Sequence, residues 1–416
     1  MSSMPIPGKM YVVVEQDCLS RIARRAYGNA AQWPKLYKAN VSTLKSKNPD
    51  LIYPGEKLWI PPETDALAPA DPQVGRDPGE MTVICGGKEL PINTGTLSTG
   101  IDLMASAWTI EMPWTPGLDA DIDKATKRYS YAKAEIYLGN TRMARGKLYG
   151  VDPHATVDSR TKSLEFFCST ADLIDSTMKP PYEYKNKTLK QLASQIIGDL
   201  GYGFKFSCSP GATFDTISGD ATDTYGDFFQ KLATQRGILI TDDEDENLVF
   251  LRAETSGKSI ESFEEGKSPF PVEFGASFDG RARFGSYKAL GQSGGADAIV
   301  ATAKDPAVPG NRQITFKLDD VDSGSAANAA IHRRSKSLAD ALTIQFPVSD
   351  WYNSKGELYR KNSIVMVKSE TLELDQFYPF VIRAVDYKYE PTARSAVLSI
   401  CPPFALAGGE IQAPWA

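Results

Sequence analysis

The sequence predicts an α+β, mainly β, fold: a small β-α-α-β module, then two antiparallel β-barrel-like domains with an α/β insert between them. Three observations carry this. Pro61, Pro62, Pro69, Pro72 and Pro78 fall among Ala, Asp and Gly, a semi-stiff spacer that divides a short module from a long remainder. Alternating apolar and polar runs recur between Met81 and Cys168, and again beyond residue 256. Between those two regions, Leu189, Leu192, Ala193, Ile196, Ile197 and Leu200 share one helical face. The expected divisions are 10–61 for the module, 62–79 for the linker, 80–180 for the first barrel, 181–255 for the insert and 256–416 for the second barrel with a helical segment.

In the first module, Leu19, Ile22, Ala23 and Ala26 recur at helical spacing, and Gly28 is placed to end that helix. Trp33, Leu36 and Tyr37 mark a second short helix, with Pro34 in its first turn, where a missing N–H is harmless. Pro54-Gly55 is a turn before a closing strand, Lys57-Leu58-Trp59-Ile60. Together with Tyr11-Val12-Val13-Val14, Asp17-Cys18-Leu19, Tyr27-Gly28 and Asn40, these residues resemble a LysM domain. Such modules are known for gripping peptidoglycan glycan strands. The resemblance makes Asp17, Leu19, Tyr27, Asn40, Leu51, Tyr53 and Pro54 the candidate ligand or docking surface. Trp33 and Trp59 are expected in the core.

Beyond the linker, Thr82-Val83-Ile84-Cys85 reads as a strand running into a Gly86-Gly87 turn. Ala134, Ile136 and Leu138 alternate with Lys133, Glu135 and Tyr137, and Gly139-Asn140 suits a two-residue hairpin. Thr188 is the expected N-cap of the helix beginning at Leu189, and Gly201 its C′ residue. A second helix carries Phe228, Phe229, Leu232 and Ala233 and stops at Gly237. Later strands are expected at Phe270-Pro271-Val272-Glu273-Phe274, from Arg281 to Ala289, at 314–317, 342–346 and 363–367, from Tyr378 to Asp386, and at 396–400. One helix is expected from Ser323 to Ala341.

Composition narrows the function classes. Hydrophobic content of 42% and charged content of 24% suit a water-soluble globular chain, and no run approaches the length of a membrane span. The first residues show neither a basic n-region nor an apolar h-region, so no secretory signal is expected. A net charge of −6 argues against general nucleic-acid binding. Cys18, Cys85, Cys168, Cys208 and Cys401 are scattered, without a CxxC pair, so no zinc site is expected and the thiols read as reduced. Only His154 and His332 are present, too few for a histidine-based triad or metal centre. His154 reads as a surface turn residue, and His332-Arg333-Arg334 as a solvated helix face or a subunit contact. Asp242-Asp243-Glu244-Asp245-Glu246 lacks the glycine of a calcium loop and reads as a charged hairpin tip. No catalytic residue, cofactor or metal is therefore expected.

Several stretches over the remaining three hundred residues stand in a telling order. They are Thr109-Ile110-Glu111-Met112-Pro113-Trp114; Glu135-Ile136-Tyr137-Leu138-Gly139-Asn140, with Gly150-Val151 following; and Ala171-Asp172-Leu173-Ile174-Asp175. Tyr184-Lys185-Asn186-Lys187-Thr188-Leu189, Asp223-Thr224-Tyr225-Gly226-Asp227-Phe228, Trp351-Tyr352-Asn353 and Cys401-Pro402-Pro403-Phe404 come after them. This region, about 81 to 405, resembles the tail hub proteins of contractile-tailed phages, in particular the Mu-like hub related to the late control protein family. The resemblance implies a structural, non-enzymatic protein of the virion tail baseplate, made in the host cytoplasm. It implies a homotrimer whose paired barrels mimic a six-fold ring, joining the six-fold tail tube protein to the three-fold tail spike protein. Implied neighbours are baseplate wedge or sheath-initiator proteins and the tape measure protein, with DNA only in transit through the channel. The LysM-like module would dock to baseplate neighbours or touch peptidoglycan. The alternative readings are a peptidoglycan-binding cell-wall protein or hydrolase, and a type VI secretion spike-like protein, which would require a long C-terminal β-helix.

Overall fold

A computed structural model of the chain describes residues 5, 9–14, 17–27, 33–40, 44–46, 51–61, 77, 79–293, 296–318 and 323–407. Two compact units divide it, Met1–Gly75 and Arg76–Ala416. Among the described residues no helix is long and apolar enough to cross a membrane.

The first unit runs β1 (Lys9–Val12), α1 (Leu19–Tyr27), α2 (Trp33–Asn40) and β2 (Lys57–Ile60). The two strands pair antiparallel, with Met10 opposite Trp59 and Tyr11 opposite Leu58. Because side chains alternate across a strand, Tyr11, Leu58 and Ile60 turn inward onto Leu19, Ile22, Ala23 and Leu36. Met10, Val12 and Trp59 turn outward and stay exposed.

The second unit opens with β3 (Met81–Cys85), β4 (Lys88–Glu89), β5 (Thr94–Gly100), β6 (Ala107–Pro113), α3 (Ala120–Ala125), β7 (Lys133–Leu138), β8 (Thr141–Ala155) and β9 (Arg160–Cys168). Next come α4 (Ala171–Asp175), β10 (Glu183–Lys187), α5 (Leu189–Asp199), β11 (Phe204–Phe206), β12 (Phe214–Ser218), α6 (Tyr225–Arg236), β13 (Leu239–Asp242) and β14 (Leu248–Leu251). The chain then forms β15 (Glu261–Glu264), β16 (Gly275–Phe278), β17 (Ser286–Ser293), β18 (Ala296–Lys304), β19 (Gln313–Lys317) and α7 (Ser323–Ala341). It finishes with β20 (Leu342–Val348), β21 (Ile364–Ser369), β22 (Leu374–Glu390), β23 (Ala393–Cys401) and α8 (Phe404–Ala407).

One 13-stranded sheet runs through both β regions. Its hinge is β22. The first half of that strand pairs with β21, and its second half pairs with β5, from Ala384 opposite Gly100 to Tyr389 opposite Gly95. The strands before the insert curl back on themselves: a Cβ on Gly95 of β5 would stand 2.5 Å from the Met81 sulfur of β3. Glycine is what permits that approach. Trp108 stacks on Phe166 at 5.4 Å inside this half. In the other half Phe263 meets Phe346 edge-on at 5.5 Å.

The sequence pattern places most elements but misplaces some. Residues 270–274 are not a strand. Pro269 and Pro271 break the ladder, and Phe270 and Phe274 instead lie on Phe346 at 5.3 and 5.5 Å, so the strand begins at Gly275. The second half is not wholly antiparallel, since β15 pairs parallel with β21. The strand expected from Arg281 starts at Ser286, after a 3₁₀ turn at Gly280–Ala282. Thr188 and Gln191 form a full capping box on α5, and Gly237 ends α6 with φ 63°.

Candidate functional site

In the first unit the residues proposed for a surface divide into two groups. Asp17 is turned inward, its side chain 3% exposed and ion-paired to Arg25. Its carboxylate also accepts from the Tyr11 hydroxyl at 2.7 Å and the Val14 N–H at 3.0 Å. Leu19 is buried in the core. Asn40 acts as a strand substitute: its Nδ2 donates to Trp59 O at 2.8 Å and Leu36 O at 2.8 Å, and its Oδ1 accepts from Trp59 N at 2.7 Å. The side chains of Asp17 and Asn40 tie the fold together through these bonds, as buried polar groups need partners inside, and Leu19 packs in the core. Leu51, Tyr53 and Pro54, by contrast, are exposed together. The side chain of Tyr27 lies outside the described residues.

Two features of this unit escape the sequence pattern. Glu56 is buried, accepting from Lys45 N at 2.9 Å and Tyr53 N at 2.8 Å, so one carboxylate shapes the exposed loop. The glutamate directly after the Pro54-Gly55 turn was the available signal. Trp59 is 39% exposed, opposite Met10 on the outer sheet face, and not in the core as expected; Trp33 is half-buried against the core.

In the second unit the charged hairpin tip between β13 and β14 is a docking point within the chain. Asp242 accepts from Ser106 N at 2.7 Å and from Lys361 Nζ at 2.7 Å. Asp243 accepts from Lys205 at 2.7 Å and from Asn247 N at 2.9 Å, and that partnership holds its carboxyl below the usual range against the opposing effect of burial. Asp245 pairs with Arg142, and Glu246 accepts from Ser169 at 2.7 Å. A second joint lies on Asp172 of α4, which accepts from Lys147, from Tyr149 and, at 2.6 Å, from Tyr202. Burial and the Asp172 carboxylate push both phenols up. A third joins Arg383 of β22 to Asp102 at 2.7 Å and Asp340 at 3.1 Å. These joints bind the insert and both sheet halves to one another.

His154 is exposed near the end of β8, in a strand and not in a turn. Of His332-Arg333-Arg334, Arg333 is exposed while His332 is half-buried. His332 packs against the α6 cap, where a Cβ on Gly237 would fall 1.5 Å from its Nε2. Burial, with Arg252 nearby, lowers its pKa to about 4. Cys85, Cys168 and Cys401 are buried thiols, the last two pushed up by burial to about 12. Among the described residues no group of three or more His, Cys, Asp or Glu side chains is arranged to hold a metal ion.

The domain families agree with this architecture. The model of the second domain of gp44-like baseplate hub proteins matches residues 170–252, and that of the fourth domain of the Mu phage baseplate assembly protein GpP matches 323–408. The LysM domain model matches 11–61. The chain is a LysM domain fused to a Mu-like baseplate hub. Baseplate hub protein gp44 of Escherichia phage Mu is 23% identical over 289 residues, covering 65% of this chain and 74% of that protein. The LysM domain is also 47% identical over 55 residues to the Potassium binding protein Kbp of Escherichia coli, covering 13% of this chain and 36% of that one. The 43 kDa tail protein of prophage MuSo2 from Shewanella oneidensis shares the hub fold with TM-score 0.65 and 22% identity, over 79% of this chain and 100% of that chain. A tail protein from Neisseria meningitidis does so with TM-score 0.67 and 15% identity, over 79% and 97%. The matching families are baseplate and LysM families, and none is an enzyme family.

Proposed function

We propose that this hub forms a homotrimeric ring joining the six-fold tail tube to the three-fold spike, a mechanical role without catalysis. The observation that supports it is the doubled sheet. Two sheet halves, one on either side of the insert, are joined by the pairing of β22 with β5. Three copies then present six similar curled surfaces to the tube and three identical ones to the spike, which is how a cyclic assembly adapts one symmetry to another. The polar joints on Asp242, Asp172 and Arg383 keep the halves in fixed relation under load.

On this reading, residues 80–180 and 256–416 act as the two ring-forming domains and 181–255 as a spacer. Wedge or sheath-initiator proteins and the tape measure protein are neighbours, and DNA only passes through. The LysM domain docks to a baseplate neighbour through its exposed apolar residues, Met10, Leu51, Tyr53 and Trp59 among them. Electron microscopy of the purified protein with its spike tests the ring: a three-protomer torus with pseudo-six-fold features on the tube side is expected, and a single protomer per spike would contradict it. Pelleting with purified peptidoglycan sacculi tests the second point. No saturable binding is expected, and strong binding lost in Tyr53→Ala would favour the glycan.

A further inference from the structure

Two exposed aromatic surfaces stand in different halves of the sheet. The loop between α3 and β7 holds out Tyr129, 83% exposed, and Tyr131, 54% exposed. Both take a left-handed backbone, with φ 59° and 48°, which bulky residues rarely adopt. Lys127, Arg128 and Lys133 flank them, exposed and in no ion pair among the described residues. The nearby carboxylates are already taken. Asp121 pairs with Lys88 at 2.7 Å, Asp123 accepts from Trp114 Nε1 at 2.7 Å, and Glu135 pairs with Arg145 at 2.7 Å. The second surface lies on β21 and β22. Phe377 and Pro379 are exposed on one face of β22, since side chains two apart share a face, and Met366 of β21 stands opposite Pro379. Around the turn joining the two strands, Glu370, Glu373 and Asp375 are exposed and likewise in no ion pair among the described residues. The cations beside them are taken, since Lys267 and Lys368 both pair with Glu264, at 2.9 and 3.3 Å.

One surface is therefore aromatic with a basic rim, and the other is apolar with an acidic rim. Apolar surface ringed by charge marks a docking face. Among the described residues no hydrogen bond or ion pair joins the two within one chain. The first belongs to the β7–β3–β4 end of the sheet, and the second to the β15–β21 branch of β22. The opposite rims choose the occupant: each surface complements the other, and a second copy of this chain carries both. Contact between unlike faces runs head to tail, and such contacts make a ring where the rotation closes. We infer that Tyr129 and Tyr131 of one protomer lie against Phe377 and Pro379 of the next, with Lys127, Arg128 and Lys133 paired to Glu370, Glu373 and Asp375. The inference rests on the three-protomer ring proposed above and names its contact. Charges enclosed by such a contact are screened little by salt, so they fix which faces meet without making the ring salt-sensitive.

The test is light scattering during gel filtration of the full-length protein and three variants. Lys127→Glu with Arg128→Glu and Lys133→Glu makes both rims acidic. Glu370→Lys with Glu373→Lys and Asp375→Lys makes both rims basic. The combined variant carries all of these changes and restores opposite rims. The parent and the combined variant are expected at three chain masses. Each single-rim variant is expected at one chain mass, with a melting curve that shows a folded chain. Restoration by the combined variant separates lost contact from lost folding. With a parent of three chains, three chain masses for either single-rim variant, or one chain mass for the combined variant, would overturn the inference and leave the ring standing. A parent of one chain mass would overturn the ring itself, and the contact with it.

Discussion

The Lys361 ammonium stands 2.7 Å from the carboxylate of Asp242, and that carboxylate also takes the backbone N–H and the hydroxyl of Ser106. The side chain of Asp242 is 1% exposed and that of Lys361 is 21% exposed. Three chain segments therefore converge on one buried carboxylate: the first sheet half at Ser106, the insert at Asp242 and the second half at Lys361. Removing one member of a buried pair leaves the others desolvated and unpaired. Asp242→Ala should cost ~3 kcal/mol or more, while Lys361→Met, which leaves the Ser106 bonds in place, should cost less. Urea unfolding followed by tryptophan fluorescence measures both.

Gly237 carries a double demand. Its φ of 63° is a left-handed conformation, and a Cβ there would run into His332. Gly237→Ala should lower stability by ~2–3 kcal/mol, of which ~1 kcal/mol is backbone strain. In the background of His332→Ala the same change should cost only the strain. Equal costs in the two backgrounds, read from melting curves, would remove His332 from the account.

His332 also gives the second unit an acid limit. The folded residue stays neutral down to about pH 4, whereas the unfolded residue takes a proton at 6.5. A depressed histidine contributes its full stability above the unfolded value, and that contribution falls as pH drops from 6.5 towards 4. The loss is at most ~3 kcal/mol, and solvent screening reduces it. Burial is the main cause of the depression, and Arg252 nearby opposes protonation as well. His332→Gln should flatten the stability profile across this window; an unchanged slope would assign the acid sensitivity elsewhere.

In the LysM domain, Asn40→Ala should cost ~2–4 kcal/mol, since Trp59 loses partners for both its N–H and its carbonyl. Leu51→Ala and Tyr53→Ala should leave stability within about 0.5 kcal/mol, because both residues are exposed. The comparison separates fold from surface: thermal melting should move for Asn40 alone.

Strong periodicity and turn chemistry made much of this fold legible. The five buried apolar positions of α5, its Thr188 cap and the Gly237 stop of α6 could be read directly. So could the Gly139-Asn140 hairpin and both helices of the first unit. Strands made of small or polar residues gave no such signal, as with Thr94–Gly100 and Glu261–Glu264. Their strand character comes from neighbours: β5 is fixed by β6 and β22, and β15 by β21. The site residues show the same divide. Nothing local distinguishes the inward Asp17 and Asn40 from the outward Tyr53, because burial of a polar residue depends on whether a distant partner arrives. Lys361 and Asp242 lie too far apart in sequence for their pairing to be read from it.

The ring is the central claim, and the mass of the purified full-length protein in solution tests it most directly. Light scattering during gel filtration should give three times the 45.4 kDa chain mass, held on dilution and unchanged by salt. A stable mass of one or two chains, with or without the spike, would contradict a trimeric hub.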